Sequence, residues 1–239
     1  MIAGNKTTVN GSMNYYVQES PSLKRRCYAF VKRAFDIVAS AAALIILSPI
    51  MLIAAILVYV DDPGKVFYGH VRIGKNGKPF KMWKFRSMYM NADKMIDLLT
   101  PEQAKQYYTE FKIDNDPRIT KIGNFLRKTS LDELPQLFNV LCNDMSLVGP
   151  RPLIESEIQT YYDDTHDVLL AVKPGVTGYW QAYARNNATY QSGERQKMEM
   201  YYVRNASLWL DIKILFMTVF KGLRNEEVLP VSEEKKKEK

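Results

Sequence analysis

The longest apolar run in this chain lies at residues 37–60 and reads IVASAAALIILSPIMLIAAILVYV. It contains no charged residue, and Asp36 precedes it while Asp61 follows it. As one straight helix it would be about 36 Å long, which exceeds the roughly 30 Å hydrocarbon core of a bilayer. The run therefore predicts a segment that enters a membrane.

Ser48 and Pro49 lie in the middle of this run. Proline removes a backbone donor and collides with the preceding turn, so the pair predicts a kink or a reversal of the chain. Basic residues flank the run on both sides, and positive charge marks the cytoplasmic side of a membrane. A helix-break-helix hairpin that returns to the same leaflet satisfies both flanks, whereas a proline-kinked helix that crosses satisfies only one. The residues alone leave both arrangements open.

Composition narrows the class of protein. Of 239 residues, 46% are hydrophobic and 25% are charged, which excludes fully disordered, collagen-like and mucin-like proteins. Two cysteines and two histidines exclude a disulfide framework and a multi-histidine metal site built from this chain alone. Mg²⁺ on oxygen ligands is the expected cation. The net charge of +7 is not gathered into one stripe and no recognition motif accompanies it, so no nucleic-acid partner is expected.

We expect four parts in the chain: a polar tail at residues 1–20, a basic juxtamembrane segment with the membrane helix at 21–62, a catalytic domain at 63–225, and a charged tail at 226–239. Asn76-Gly77 between two β-branched and aromatic runs predicts a β-hairpin. Apolar spacing predicts two short helices within 91–112, and further helices at about 132–141 and 153–162. The expected fold class is α+β, mostly helical.

The last predicted helix runs from Leu208 to Leu223 and is apolar on nearly all faces. Such a helix needs apolar neighbours on two sides, and we expect these to be the domain core and the lipid interface. Basic residues on this helix would then face anionic head groups. A fully buried core helix is the alternative.

Two adjacent carboxylates, Asp132 and Glu133, occur within RKTSLDELPQ at residues 127–136. Ser130 and Glu133 match a capping box, so helix capping is the plain interpretation. Pro135, however, fits a helix that begins near Asp132 better than one capped by Ser130. A carboxylate at a helix start can ligate Mg²⁺ or attack phosphorus beside backbone N–H groups that favour phosphate.

Two loops carry cations in rigid settings. Gly149-Pro-Arg-Pro152 presents Arg151 between two prolines, which suits bidentate binding of phosphate. The run KPGVTG at residues 173–178 precedes Trp180, Gln181 and Arg185, and it could cradle a nucleotide. For each loop, an ordinary surface turn is the alternative.

Together these motifs resemble the bacterial sugar transferase family, the monotopic phosphoglycosyl transferases that load a polyprenyl phosphate with a sugar phosphate. The resemblance covers about residues 24–224. The motifs that carry it are KRAFD, the apolar run with Ser48-Pro49, PGKVFY, KMWKFRSM, DPRITKIGNFLRKTSLDELPQLFNVL, DMSLVGPRPL, KPGVTGYWQ and YYVRNASLWLDIKIL.

The resemblance implies transfer of a sugar 1-phosphate from a UDP-sugar to undecaprenyl phosphate, with release of UMP. This is the first membrane step of exopolysaccharide, capsule or O-antigen synthesis. By motif, Asp132 would be the nucleophile that forms an aspartyl phosphosugar, and Glu133 would assist it and help to hold Mg²⁺. The substrate phosphates would be bound by Arg127, Arg151 and Arg185. Arg86 and Gln181 are expected to contribute more weakly to substrate binding. Ala184 departs from the glycine that many members have before the last of these arginines.

The resemblance also implies a re-entrant hairpin that breaks at Ser48-Pro49 and is anchored by Lys32, Arg33 and Asp36. The protein would lie at the inner leaflet of the bacterial cytoplasmic membrane, with the catalytic domain and both termini in the cytosol. The sugar is not fixed by the sequence, and a homo-oligomer is left open. The rival function is a non-catalytic, membrane-anchored scaffold of a glycan assembly complex.

Overall fold

The computed structural model describes residues 23–104, 113, 116–184 and 190–224. The helices are α1 (Leu23–Asp61), α2 (Lys121–Lys128), α3 (Gln136–Leu141), α4 (Glu155–Tyr161), α5 (His166–Leu169), α6 (Tyr179–Ala184), α7 (Glu194–Asn205) and α8 (Leu208–Arg224). The strands are β1 (Phe67–Ile73), β2 (Pro79–Phe85), β3 (Ser146–Val148) and β4 (Gly175–Thr177). Turns of 3-10 helix occupy Lys75–Gly77, Ala92–Leu98 and Leu131–Glu133. The expected mostly helical α+β class is confirmed, while both predicted tails lie outside the described residues.

The chain folds into two compact units. The first unit takes the described residues of Met1–Ala41, Val71–Lys81 and Leu137–Lys239. The second unit takes those of Ala42–His70 and Met82–Gln136, so it is inserted between segments of the first. The predicted boundaries at residues 62 and 225 stay a prediction.

Helix α1 contains the whole apolar run and continues through Pro49. Proline has no N–H for the carbonyl of Ile45, and the hydroxyl of Ser48 donates to that carbonyl instead, at 2.8 Å. The Ser-Pro pair thus keeps the backbone acceptor satisfied without water. Among the described helices, α1 is the one long and apolar enough to cross a membrane. The helix is continuous where a break was expected, and the re-entrant arrangement stays a prediction.

The carboxyl half of α1 supplies the core of the second unit. Met51, Ala54 and Val58 recur at helical spacing and are buried against Phe85 and Leu126. Each large side chain buried in this way contributes about 1.5–3 kcal/mol. The remaining faces of α1 expose many large apolar side chains, including Val38, Ile45, Ile46, Leu52, Ile53, Ile56 and Val60. An exposed apolar surface of this extent marks a site of association rather than an ordinary protein surface.

The predicted β-hairpin is present as β1 and β2, which pair in a two-stranded sheet. At its turn, Asn76 and Gly77 have φ values of 58° and 74°, the left-handed conformation that this dipeptide tolerates. The N–H of Asn76 donates to the carbonyl of Leu170 at 2.8 Å, and the N–H of Ile73 donates to that of Leu153 at 2.9 Å. The tip of the hairpin is therefore fixed within the first unit.

Strands β3 and β4 run parallel, with Ser146 opposite Gly175 and Val148 opposite Thr177. Helices α7 and α8 pack on this pair through a core that includes Val148, Tyr202 and Ile214. In this core, several hydrogen bonds converge on one carboxylate of α8. Asp211 accepts from Tyr28 Oη at 2.9 Å and Lys32 Nζ at 2.9 Å through Oδ2, and from Tyr202 Oη at 2.7 Å through Oδ1. This carboxylate joins α1, α7 and α8.

Helix α8 is not the fully buried core helix considered as an alternative. Ile214 is completely buried, but Trp209 is 75% exposed. Ile212, Phe216 and Val219 continue the exposed row at helical spacing. The helix thus has one face in the core and one apolar face that no described residue covers.

Two predicted helices differ from the structure. The helix expected from Asp132 begins instead at Gln136, after a 3-10 turn, and Pro135 lies just before it. Proline is tolerated there because the first residues of a helix do not need their N–H groups for intrahelical bonds. A 3-10 turn at Ala92–Leu98 replaces the first of the two helices expected within 91–112. Residues 101–104 are helical where the second was expected to begin, and its apolar positions at 107, 108 and 111 lie outside the described residues. The helix expected at 153–162 is present as α4.

Candidate active site

The turn that carries Asp132 is held from both sides. Ser130 has a φ of 56°, and its side chain makes no capping hydrogen bond, so the capping-box interpretation is wrong. The N–H of Glu133 donates to the carbonyl of Ser130 at 3.2 Å instead. Leu131 and Leu134 pack against the apolar core of the second unit. The two leucines therefore fix the turn, and the acidic residues between them are not used to cap a helix.

Asp132 is 6% exposed, and no other described residue donates a hydrogen bond to its carboxylate. Burial is the largest influence and raises the pKa of Asp132 above its usual value. The charges of Lys84 and Arg127 lower that pKa, while the charge of Glu133 raises it. A carboxylate that is poorly solvated and not engaged by donors is a better nucleophile than one at the surface.

Glu133 forms an ion pair with Lys84, whose Nζ lies 2.7 Å from Glu133 Oε1. Their side chains are 29% and 24% exposed, so the pair contributes at most about 1 kcal/mol to folding. The ion pair matters for position, because it holds the ammonium group of Lys84 near Asp132.

Arg127 is aimed by the way in which α2 packs. Thr120 caps this helix by accepting the N–H of Gly123 at 2.9 Å. A Cβ at Gly123 would lie 2.0 Å from the carbonyl oxygen of Ser87, so only glycine allows this approach. One turn later, Arg127 Nε donates to Ser87 Oγ at 2.8 Å. Its terminal nitrogens make no hydrogen bond to a described residue, which leaves them available to an anion.

Arg86 is already engaged. Its two terminal nitrogens donate to the carboxylate and the backbone carbonyl of Asp62, at the end of α1. The N–H of Met90 donates to the same carboxylate at 2.8 Å. Arg86 thus ties α1 to the second unit, and its weaker role in substrate binding stays a prediction.

The two cation-bearing loops, which the sequence presents separately, form one structure in the first unit. The N–H of Gly149 donates to the carbonyl of Thr177 at 2.9 Å, and the N–H of Gly175 donates to that of Pro150 at 2.8 Å. A Cβ at Gly175 would lie 2.1 Å from the nitrogen of Gly149. The glycines are therefore required for the close approach of two backbones.

Arg151 and Gln181 lie in this paired structure. The N–H of Arg151 donates to both carboxylate oxygens of Glu199, at 3.3 and 3.2 Å, and its guanidinium lies 5.9 Å from the ring centroid of Trp180. Gln181 Nε2 donates to the carbonyl of Val176 at 3.3 Å, while its Oε1 is buried without a partner among the described residues. Arg185 lies outside the described residues.

The KR-x-FD group anchors the amino half of α1 to the first unit. Arg33 donates to the carbonyls of Val140 and Leu141, at 2.6 and 3.0 Å, which are the last carbonyls of α3. Asp36 Oδ1 accepts the N–H of Leu147 at 3.1 Å. Lys32 pairs with Asp211 as described above. The role of these side chains in anchoring a membrane hairpin stays a prediction.

Of the predicted site residues, the structure brings Arg127, Asp132 and Glu133 together in the second unit, and it places Arg151 and Gln181 in the first. Sequence reasoning missed Lys84, Ser87 and Glu199. The first two lie in the KMWKFRSM motif that carried the resemblance, so the motif was the available signal. Nothing in the local sequence marks Glu199 as buried.

The donor set is compatible with magnesium. No group of three or more His, Cys, Asp or Glu side chains suited to a metal ion occurs among the described residues. Mg²⁺ in phosphoryl-transfer sites is held by one or two carboxylates together with water and substrate phosphates. Two adjacent carboxylates at positions 132 and 133 fit that requirement.

Comparison with known proteins identifies relatives along most of the chain. The family model described as bacterial sugar transferase matches residues 27–225. The chain is 49% identical over 208 residues to the undecaprenyl-phosphate galactose phosphotransferase of Salmonella typhimurium, covering 86% of this chain and 43% of that protein. It is 43% identical over 202 residues to the UDP-glucose:undecaprenyl-phosphate glucose-1-phosphate transferase of Escherichia coli, covering 82% and 41%.

A third relative is similar along nearly its whole length. The exopolysaccharide production protein ExoY of Rhizobium meliloti is 40% identical over 215 residues, covering 89% of this chain and 94% of that protein. By contrast, the chain spans less than half the length of the Salmonella and Escherichia relatives. The family match extends over most of the chain and includes every motif on which the resemblance rested, so this chain belongs to the bacterial sugar transferase family.

Proposed function

We propose that this chain transfers a sugar 1-phosphate from a UDP-sugar to undecaprenyl phosphate and releases UMP, as a step in exopolysaccharide synthesis. The names of its relatives support the donor and acceptor classes. The observation that carries the proposal is Asp132, a buried carboxylate to which no other described residue donates a hydrogen bond, with cations at Lys84 and Arg127 acting on it. The reaction proceeds by two successive displacements at one phosphorus atom.

In the first displacement, a carboxylate oxygen of Asp132 attacks the sugar-bearing phosphorus of the donor. The bond from that phosphorus to the bridging oxygen breaks, and the electron pair leaves with UMP. An aspartyl phosphosugar remains on the protein. Arg127 supplies terminal nitrogens that no described residue engages in a hydrogen bond, and Lys84 supplies a second positive charge. Both stabilise the negative charge that spreads over the phosphoryl oxygens.

In the second displacement, a phosphate oxygen of undecaprenyl phosphate attacks the same phosphorus. The acyl-phosphate bond breaks, the carboxylate of Asp132 is restored, and undecaprenyl diphosphate sugar leaves. Asp132 and Glu133 would hold Mg²⁺, which when bound neutralises charge on the diphosphate. Arg151 and Arg185 would bind substrate phosphate, as the family resemblance implies.

We infer that both ends of the apolar run lie on the cytosolic side of the membrane. At one end, Arg33 and Asp36 bond to residues 140, 141 and 147. At the other end, the carboxylate of Asp61 accepts the N–H of Ile122 at 3.0 Å, and Asp62 pairs with Arg86. The described part of residues 62–147 contains no second helix of membrane-crossing length and composition. Basic residues flank both ends of the run, and positive charge marks the cytoplasmic side of a membrane, which supports this placement.

The exposed apolar row of α8 supports contact with the lipid interface in the same arrangement. Cysteines introduced at Asn5 and Lys235 test it. Both should react with a membrane-impermeant thiol reagent only from the cytosolic side. Labelling of the two positions from opposite sides would establish a crossing helix instead.

The covalent intermediate gives the direct test of the reaction. Purified protein in lipid nanodiscs is incubated with UDP-galactose or UDP-glucose and without acceptor, and its intact mass is measured. We expect a mass increase of one sugar phosphate, which disappears when undecaprenyl phosphate is added. Asp132→Asn should show no increase, whereas Asp164→Asn, an exposed carboxylate, should behave as the wild type.

Two outcomes would contradict the proposal. Turnover by Asp132→Asn at the wild-type rate would show that Asp132 is not the nucleophile. An absence of UMP release from every UDP-sugar would favour the non-catalytic scaffold.

A further inference from the structure

Glu199 in α7 is a buried acid that the proposed mechanism does not use. It is 2% exposed, and both of its carboxylate oxygens accept the N–H of Arg151. Glutamate is seldom buried to this degree unless its charge is compensated. Its hydrogen-bond partner is the backbone of Arg151, which lies between two prolines in the Gly149–Pro152 loop.

Arg195 supplies a compensating charge from the same helix, one turn before Glu199. Its guanidinium carbon lies 4.0 Å from the ring centroid of Trp180 and 3.8 Å from that of Tyr190. Its Nε and Nη2 are buried without a hydrogen-bond partner among the described residues. Arg195 is therefore held by two aromatic faces and by the charge of Glu199, which fixes the position of the acid.

Trp180 connects this buried pair to the side chain of Arg151. The guanidinium of Arg151 lies 5.9 Å from the ring centroid on which Arg195 also stacks. Glu199 thus contacts the main chain of Arg151, while Trp180 lies beside its side chain. Both contacts lie within the first unit.

We propose that Glu199 is a positioning residue, which fixes the Gly149–Pro152 loop through the N–H of Arg151 and thereby aims the guanidinium at a phosphate of the donor. This inference rests on the proposed function, because it requires Arg151 to bind substrate. A phosphate-binding arginine is effective only when its planar group is held in one orientation. Loss of the Glu199 bond should weaken donor binding more than it slows the chemical step.

The protonation of Glu199 gives this role a signature. Burial raises the pKa of Glu199 to about 7, against the opposing effects of Arg195 and Arg151. Among the described residues, Tyr162 and Tyr190 also interact with Glu199, and burial raises the pKa of both hydroxyls, so they stay neutral. As pH falls through this range, Glu199 takes up a proton and its bond to the N–H of Arg151 loses the assistance of charge. The KM for the donor should therefore rise as the pH is lowered.

The test measures KM and kcat for UDP-sugar, by UMP release, between about pH 6 and pH 8. The wild-type KM should rise about 3- to 10-fold across this range as the pH falls. Glu199→Gln should have a KM raised about 10-fold at the upper pH, little further change with pH, and a kcat within about threefold of the wild type. Glu194→Gln is the matched control, because this exposed residue lies on the same helix and should leave both the KM and its pH dependence unchanged.

A second variant covers the case in which Glu199→Gln fails to fold. Arg151→Ala retains Glu199 but removes the side chain through which it acts, so the pH dependence of KM should disappear there too. Persistence of that dependence in Arg151→Ala would overturn the proposal. A Glu199→Gln enzyme with the wild-type KM and pH dependence would also overturn it, but would leave the proposed function intact. Absence of UMP release by the wild type would overturn both.

Discussion

Asp132 and Asp211 are equally buried aspartates with opposite surroundings. Asp211, 5% exposed in the first unit, accepts hydrogen bonds from a lysine and two tyrosines. Asp132, 6% exposed in the second unit, accepts none from any other described residue. A buried carboxylate costs free energy unless donors compensate it. Hydrogen bonds from described residues compensate the acid that joins helices, whereas the acid that we propose to be the nucleophile receives none from another described residue and has the charges of Lys84 and Arg127 acting on it.

The arginines of the second unit show the same contrast. Both terminal nitrogens of Arg86 bond to Asp62, so this guanidinium is committed to the fold. Arg127 bonds to Ser87 through Nε alone, which fixes its direction and keeps its terminal nitrogens for another partner. In the described part of the second unit, Arg127 and Asp132 thus both keep polar atoms that can serve chemistry.

The largest effect that this comparison predicts is at Asp132. Asp132→Asn should lower the rate of UMP release by at least about 10³-fold, since the amide cannot act as the nucleophile. Its thermal unfolding temperature should not fall. The raised pKa means that the folded protein favours the protonated acid, so ionised Asp132 lowers stability at neutral pH and a neutral amide removes that cost. Enzyme assay and differential scanning fluorimetry on the same preparation check both effects.

Asp211→Ala should have the reverse effect. Removing this acceptor takes the carboxylate away from Lys32 and Tyr28 and leaves the Tyr202 hydroxyl with the carbonyl of Val148, so the free energy of unfolding should fall by about 3–5 kcal/mol. Activity per folded molecule should stay within about threefold of the wild type. Denaturant titration in detergent measures the first quantity, with the exposed Asp163→Ala as control. A variant of undiminished stability would break the comparison.

Lys84→Met should give the smallest effect. Lys84 lowers the pKa of Asp132, so its removal should move the acid limb of the kcat/KM profile to higher pH, by less than about one unit because the lysine is partly exposed. Lys81→Met, an exposed lysine on the same strand, should leave the limb in place. A shift towards lower pH would mean that Lys84 does not stabilise the ionised form of Asp132.

The features that could be predicted from the sequence are those that residues close together along the chain determine. The hairpin follows from Asn76-Gly77, the candidate nucleophile follows from the Asp132-Glu133 pair, and the two loops follow from their glycines and prolines. The resemblance then joins these local signals into one family. Each feature depends on residues a few positions apart. The hairpin lies where it was expected, while the role of Asp132 stays a prediction.

The remainder depends on contacts between distant residues. In the sequence, Asp211 is an acidic residue in a largely apolar helix. Its partner Lys32 is 179 positions away, so the sequence does not reveal the pair. Glu199 lies in a helix whose sequence is largely polar, and its hydrogen-bond partner, the N–H of Arg151, is 48 positions away. The start of α3 was predicted four residues early, because the two leucines that hold the 3-10 turn act through the core of the second unit.

The bond between Lys32 and Asp211 also sets an order of events during translation. The second unit lies between these residues along the chain, so it leaves the ribosome before α8 has been made. We therefore expect residues 42–70 and 82–136 to collapse first, before the amino half of α1 can bond to Asp211. A chain that ended before residue 208 would lack α8, so Lys32 in α1 would have no Asp211 to bond to.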